Sequence, residues 1–363
     1  MTRDVARARE LVLAHGWNAT AYQILNPGIA HWFSPAGDAV VGYVEQAGMW
    51  IVAGAPVCAE SRLLAVVDEL GAAAASARRR VCYFGAGERL ERRLIPTGQW
   101  SAASLGAQPS WTPASWPALI HRHKSLRAQL NRARNKSVAV HEWSTVTDRD
   151  RSRLHDCLTD WLQGRGLPPL HFLVEPDTLG QLADRRLFVA TRHDSVVGFL
   201  VASPVPARRG WLIEQIIRGA GAPNGTAELL VDAAMRALAQ GGAHYVTLGL
   251  SPLSRHSAFD DARMPGWLRI ALRWVRAHAR RFYDFEGLDR FKSKFDPEAW
   301  EDIVALADAP RFPPRALWAI ASAFSQGSPI LLIARALGRA ARQELRWLGE
   351  RGARALHRSP TKA

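Results

Sequence analysis

The same order of elements is written twice into this chain, and that repetition limits its folding more than any other feature. In the first half, residues 5–15 read as a helix, and 40–45 and 49–52 as strands joined by a polar turn. Residues 61–77 form an Ala- and Leu-rich helical stretch, and 80–85 (RVCYFG) a short buried strand. A Pro-, Ser- and Trp-rich stretch, 108–117, reads as a loop. In the second half, 152–164 is helical, 187–191 and 196–202 form a strand pair, and 210–218 is a further strand. Residues 225–241 then read as a helix and 245–249 as a strand. In each half a strand runs through a glycine-containing turn into a helix, at Gly54 and again at Gly219, Gly221 and Gly225. The repetition lies in element order, not in residue identity. With 363 residues, 48% of them apolar, the chain can bury two cores of ordinary size.

The charge is one-sided and clustered. Lys and Arg number 47 against 33 Asp and Glu, a formal net charge of +14, which favours a polyanionic partner such as nucleic acid or an anionic membrane. Six basic residues and no acid lie between Arg122 and Lys136, and ten basic residues against two acids lie between 309 and 363. Residues 124–136 (KSLRAQLNRARNK) carry Leu126 and Leu130 at helical spacing, which predicts a helix with a thin apolar seam and a broad cationic face. Cys58, Cys82 and Cys157 are far apart and lack metal-ligand spacing, which fits a reducing cytoplasm without a disulfide framework. The N-terminus lacks a signal-like apolar stretch, and no run of 18 apolar residues suggests a span. The expected location is cytoplasmic, peripheral on the inner face of the cell membrane.

Helix, antiparallel strands, then strand, turn and helix is the order of an acetyltransferase-type (GNAT) unit. The expected fold class is therefore α/β (α+β), with tandem GNAT-like acyltransferase domains and a C-terminal helical tail. The expected divisions are 1–120 for the first unit, 121–140 for a basic linking helix, 141–308 for the catalytic unit and 309–363 for a basic amphipathic tail.

Six segments carry a more specific resemblance. They are 22–33 (YQILNPGIAHWF), 124–138 (KSLRAQLNRARNKSV), 186–190 (RLFVA), 211–230 (WLIEQIIRGAGAPNGTAELL), 248–254 (LGLSPLS) and 282–295 (FYDFEGLDRFKSKF). In this order the chain resembles, over roughly 22–300, the catalytic region of phosphatidylglycerol lysyl- and alanyltransferases. The resemblance implies a stand-alone relative without the multi-span region of the full-length lipid transferases. It also implies a tandem GNAT fold in which the acceptor end of aminoacyl-tRNA and a lipid head group approach from different sides. Family members commonly read Asp-x-x-Arg before the Pro-Asn-Gly loop; here Gln215 to Arg218 stand there, with Glu214 just before.

Moving an aminoacyl group from tRNA to a lipid hydroxyl is ester exchange, which needs no metal or organic cofactor. The protein must align two oxygens, move one proton and stabilise an oxyanion. The candidate catalytic residues are Glu214, Arg218, Glu286 and Lys294. The turn before the second helix places Asn224, Gly225 and Thr226 where backbone amides receive phosphate in acetyltransferase-type folds, with Asn224 or Thr226 as cap and Glu228 in the first turn. In its plainer reading, Asn224 and Gly225 only make a turn. Pro223 removes a donor amide from this loop, which weakens an acyl-CoA reading. Around 282–295, aromatic residues interleave with cations, so Tyr283, Arg290 and Lys292 are candidates for stacking and phosphate contact, and Glu286 for the amino group of the aminoacyl moiety. The competing reading is a strand with inward aromatics and solvated charges. Arg127, Arg132 and Arg134 are candidates to track tRNA or lipid phosphates, against a merely solvated helix face.

In the tail, Ile333, Leu337, Ala341, Leu345, Leu348, Gly352 and Leu356 recur at helical spacing beside arginines. This is the pattern of an interfacial helix on an anionic phospholipid membrane, or of a helix docked on the second unit. Three function classes stand: an aminoacyl-tRNA-dependent lipid transferase, an acyl-CoA-dependent N-acyltransferase, and a non-enzymatic RNA- or membrane-binding protein.

Overall fold

The computed structural model describes residues 2–163, 172–173, 177–278 and 285–325. Among the described residues, twelve strands form one continuous sheet. They are β1 (Ala30–Phe33), β2 (Val40–Gln46), β3 (Met49–Ala53), β4 (Arg80–Ala86), β5 (Ser101–Trp111) and β6 (Val138–Glu142), then β7 (Arg186–Arg192), β8 (Ser195–Val205), β9 (Gly210–Arg218), β10 (Tyr245–Thr247), β11 (Ser251–Pro252) and β12 (Ala299–Ala307). The helices are α1 (Arg3–His15), α2 (Leu63–Ser76), α3 (Glu88–Leu94), α4 (Trp116–Arg122) and α5 (Lys124–Arg134), then α6 (Asp148–Gln163), α7 (Thr226–Gln240), α8 (Gly266–His278), α9 (Phe285–Ser293) and α10 (Pro314–Ser325). None of the described helices is long and apolar enough to cross a membrane.

The two halves repeat one topology, and the fold is a tandem of GNAT-like units. In the first, β2 and β3 are antiparallel and β3 continues through α2 to the parallel strand β4. In the second, β8 and β9 are antiparallel and β9 continues through α7 to the parallel strand β10. Each unit then receives a strand from beyond its own sequence. Strand β12 pairs with β4, while β5 pairs with β10, and β5 and β12 pair with each other along the whole of β12. The late strand β12 thus lies inside the sheet, between β4 and β5, and ties the halves together.

The stretch 108–117 is not all loop, because β5 runs to Trp111. Pro109 lies opposite Trp300 of β12. On its other edge β5 meets β10 only as far as Ser110 and meets β11 from Ala107 onward, so Pro109 faces the gap between two short strands. A missing amide is tolerated at such a gap.

Helices cover both faces of each half. On one face of the first half, Leu63, Val66, Leu70 and Ala74 of α2 pack on Trp50, Val81 and Tyr83; on the other, Ala8 and Val12 of α1 and Ala316 and Ala319 of α10 pack on Met49 and Ile51. In the second half, Leu230, Ala234 and Leu238 of α7 pack on Phe188, Leu200 and Ile213, while Leu154, Cys157 and Leu158 of α6 pack on Val189, Phe199 and Val201. The expected seam of α5 is present: Leu126 and Leu130, joined by Ala133, are buried against α7. All three cysteines are buried and free.

Gly225 is where α5 and the α7 turn meet most closely. Its φ is +96°, and a Cβ there would lie 2.2 Å from the Gln129 carbonyl oxygen. Gly225→Ala is therefore expected to cost about 2 kcal/mol or more, from left-handed backbone strain plus displacement of α5. Urea unfolding of the variant reads this directly; an unchanged midpoint would show that α5 is not held by this contact.

Candidate active site

The sheet opens where β10 ends. After Thr247 the chain leaves β5, passes Gly249 at φ +71°, and rejoins β5 at Ser251. This detour leaves the Gly249 and Leu250 carbonyls without ladder partners, and a lysine takes both. Lys292, in the last turn of α9, donates to the two oxygens at 2.8 Å each. The residue is only 5% exposed. Burial pulls its amine down from the ordinary lysine range to about 7, against the opposing pull of the Asp289 carboxylate.

Asp289 binds the same detour from one turn earlier in α9. Its Oδ1 accepts the hydroxyls of Ser251 at 3.0 Å and Ser254 at 2.7 Å. His256 stacks on Trp300 with centroids 4.1 Å apart and planes 10° from parallel. Its Nε2 lies 3.1 Å from Ser293 Oγ and 3.7 Å from Asp289 Oδ2. Serine and aspartate both face the same ring nitrogen, so this is not a relay in which an acid and a nucleophile sit on opposite nitrogens.

The strand reading of 282–295 does not hold for residues 285–293, which are helical, with Phe291 packed on the second-half core and Lys292 buried beside it. Lys294, just past the helix, pairs with Glu228 in the first turn of α7. Its ammonium lies 4.0 Å from the Phe291 ring centre and 5.1 Å from that of Phe295. Glu286 lies 3.6 Å from Arg255, and the Arg290 guanidinium donates back to the Glu286 carbonyl. Tyr283 and the tail beyond 325 lie outside the described residues.

Other sequence candidates stand apart from this cluster. Glu214 forms a 2.6 Å ion pair with Arg185, with side chains only 3% and 1% exposed. Arg185 also donates to Asn26 Oδ1 at 3.0 Å, and its guanidinium lies 4.9 Å from the centre of the Tyr22 ring. Gln23 Nε2 lies 3.5 Å from Glu214. Arg218 is exposed at the end of β9, and Asn224 is exposed in the turn. Neither Asn224 nor Thr226 caps α7: Gly225 occupies the cap position without a side-chain bond, and the Thr226 hydroxyl donates to the Pro223 carbonyl at 2.7 Å. With Gly225 in left-handed backbone at the cap, the Thr226 hydroxyl turns back to a carbonyl rather than to the helix amides.

The cationic face of α5 is partly committed inside the molecule. Arg127 donates to the carbonyls of Ile120 and His121 at the end of α4. Arg134 pairs at 3.1 Å with Asp232, whose 2%-exposed carboxylate also holds Trp116 and Arg236. Arg132 is exposed. The sequence marks no role for Ser251, Ser254, His256 or Asp289, although Ser251, Ser254 and Asp289 lie in segments that carry the family resemblance; only their convergence at α9 marks them.

Chain comparisons agree with this architecture. Residues 9–305 match the family described as phosphatidylglycerol lysyltransferase, C-terminal. Among solved structures, the C-terminal domain of a candidate lysylphosphatidylglycerol synthetase from Agrobacterium fabrum is similar, with TM-score 0.74, 21% identity, and 89% of this chain and 98% of that chain covered. The L-PGS of Bacillus licheniformis gives TM-score 0.73 at 17% identity, covering 88% and 96%. A conserved protein of unknown function from Bacteroides thetaiotaomicron gives 0.58 at 12% identity, covering 85% and 97%. Comparison with curated protein sequences finds no match. With a match that spans most of its length, the chain belongs to the phosphatidylglycerol lysyltransferase C-terminal family.

Proposed function

We propose that this protein transfers an aminoacyl group from tRNA to a hydroxyl of an anionic phospholipid, of the phosphatidylglycerol class, by ester exchange. The observation that carries the reading is Lys292: a buried amine poised near neutrality, bound to two carbonyls. As a neutral amine it has two hydrogens for those oxygens and one free lone pair. That lone pair can accept the proton of the attacking lipid hydroxyl. The hydroxyl oxygen then bonds to the aminoacyl carbonyl carbon, and the tetrahedral oxyanion collapses. The ribose oxygen departs and takes the proton back from the Lys292 ammonium. Attacking and leaving groups are both hydroxyls, so a base with a value near 7 suits both directions.

Within this reading Lys294, steered by Glu228 and two phenyl faces, supplies positive charge beside the reacting centre. The exposed cations Arg132, Arg218 and Arg290 offer phosphate contacts to the tRNA acceptor end. The loop before α7 gives little support to acyl-CoA as donor. Pro223 has no amide, the Thr226 amide is bonded to the Pro223 carbonyl, and Gly225 is pressed against α5.

The test uses purified protein, phosphatidylglycerol vesicles and aminoacyl-tRNA carrying a labelled amino acid. Label is expected in the lipid fraction, and prior RNase treatment is expected to abolish it. Transfer that survives RNase when acyl-CoA is supplied would sink the tRNA reading.

A further inference from the structure

We infer that α8 and the arginine-lined pocket beside it form a docking surface for anionic phospholipid, with the pocket receiving the phosphate of a head group. The inference deepens the proposed function and rests on it for the identity of the lipid as acceptor. Two observations carry it.

The first is the outer face of α8. Leu268 is 1% exposed and Leu272 packs on the core, which fixes the helix's orientation. Trp267 and Ile270, one turn apart on the other side, are 38% and 70% exposed. A tryptophan and an isoleucine side by side in water, on a helix that also carries Arg269 and Arg273, make the pattern of a helix lying in a bilayer interface.

The second is the pocket of about 250 Å³ that α8 borders. Arg255, Arg269 and Arg273 line it together with Ser254 and Ser257, and among the described residues Asp261 is the one carboxylate in its wall. Three guanidiniums, against Asp261 in the wall and Glu286 3.6 Å from Arg255, leave a positive balance that favours an anion, and arginine forks match phosphate oxygens. The volume falls below the roughly 300 Å³ where sites for whole small ligands begin, which suits a head group whose acyl chains remain outside. The pocket also shares a wall with the candidate active site. The Ser254 hydroxyl that lines it is bonded to Asp289, one turn before Lys292 on α9. A phosphate held by the arginines, with acyl chains over Trp267 and Ile270, leaves the polar end of the head group free to extend toward Asp289 and Lys292.

The experiment places an environment-sensitive fluorophore on α8 of the full chain through Ile270→Cys. The three native cysteines are buried, so the new thiol is the reactive one. Leu64→Cys, at a 42%-exposed position on α2, is the control. With vesicles of phosphatidylglycerol and phosphatidylcholine, the probe at 270 is expected to shift to the blue and to be quenched by lipid-borne quenchers. It should stay unchanged with phosphatidylcholine alone, and the control should stay in water in both. Arg269→Gln with Arg273→Gln should weaken the response at least about 10-fold at low salt, since each arginine at an anionic surface contributes on the order of a tenfold factor or less.

A probe at 270 that remains in water with anionic vesicles would overturn the surface, as would equal shifts at both positions. A shift that follows protein concentration without vesicles would assign α8 to a second copy of the chain and overturn it too. None of these readings needs turnover. Insertion without aminoacyl transfer leaves the surface standing and removes the transfer reading; transfer with the probe in water does the reverse.

Discussion

Replacing Lys292 by Met is expected to lower kcat about 100- to 10,000-fold, the usual range for removing a positioned general base. Met fills the same volume without a charge. The Gly249 and Leu250 carbonyls lose their donor, at a cost of about 1–3 kcal/mol, while the penalty of a buried ammonium disappears. The two effects oppose each other, so the variant should fold and the loss should lie in turnover. Lys292→Arg should not rescue it, because a guanidinium stays protonated and has no free lone pair. A variant with wild-type kcat would remove Lys292 from the chemistry.

The pH dependence has a definite sign. The folded value of about 7 lies below the ordinary 10.5, so between these limits the unfolded chain binds more protons at this site. Stability contributed by Lys292 therefore rises with pH from 7 to 10.5, and its buried charge is a penalty below 7. Cys58 and Cys157, pushed up by burial to about 11, act in the opposite direction above pH 9 because the folded chain keeps their protons. The lysine's slope is thus clearest between pH 7 and 9, and the difference between wild type and the Met variant isolates it. Under the proposed mechanism the neutral amine is the active form, so kcat should climb as pH rises through about 7 and then level off. A flat profile between pH 6 and 8 would contradict a lysine base.

Much of the scaffold was legible because local pattern and burial agree. The strand 210–218 and the helix after it appear as read, since Ile213 and Ile217 point to core while the glycines of the turn break the strand. What the sequence hid was long-range. Nothing local in 299–307 tells that β12 lies between β4 and β5, because strand order depends on the whole sheet. Lys292 was visible as a cation and was taken for a phosphate contact; its burial depends on two carbonyls more than forty positions earlier. Asp289 was one acid among many until Ser251 and Ser254 met it. Arg127 and Arg134 read as phosphate contacts or as cations on a solvated face, yet a helix end and a buried carboxylate hold them. Charges on helices default to solvent, so sequence spacing cannot separate a committed arginine from a free one.

Glu214 makes the sharpest test of position against chemistry. The side chain is buried with Arg185, and this pair gathers Gln23 and Asn26 from the first half onto β9 of the second. Glu214→Gln would leave the Arg185 guanidinium buried without its counter-charge, at an expected cost of about 3–5 kcal/mol. For a chain of this size the midpoint of thermal unfolding should fall by roughly 5–10 °C. Residues 22–33, which lose part of their anchor, should exchange amide hydrogens faster than the rest of the first half. Replacing both partners, Glu214→Met with Arg185→Met, removes the buried charges together and should recover most of the lost stability. The double variant then separates the two roles. If Glu214 acts only by positioning, activity should return with stability to within about 10-fold of wild type, well inside the loss expected for a missing acid or base. If the carboxylate takes part in proton transfer, the stable double variant should stay as inactive as Glu214→Gln. The buried, fully engaged geometry of the pair favours the first outcome, and with it a reaction centre built on α9 and the β10–β11 detour rather than on β9.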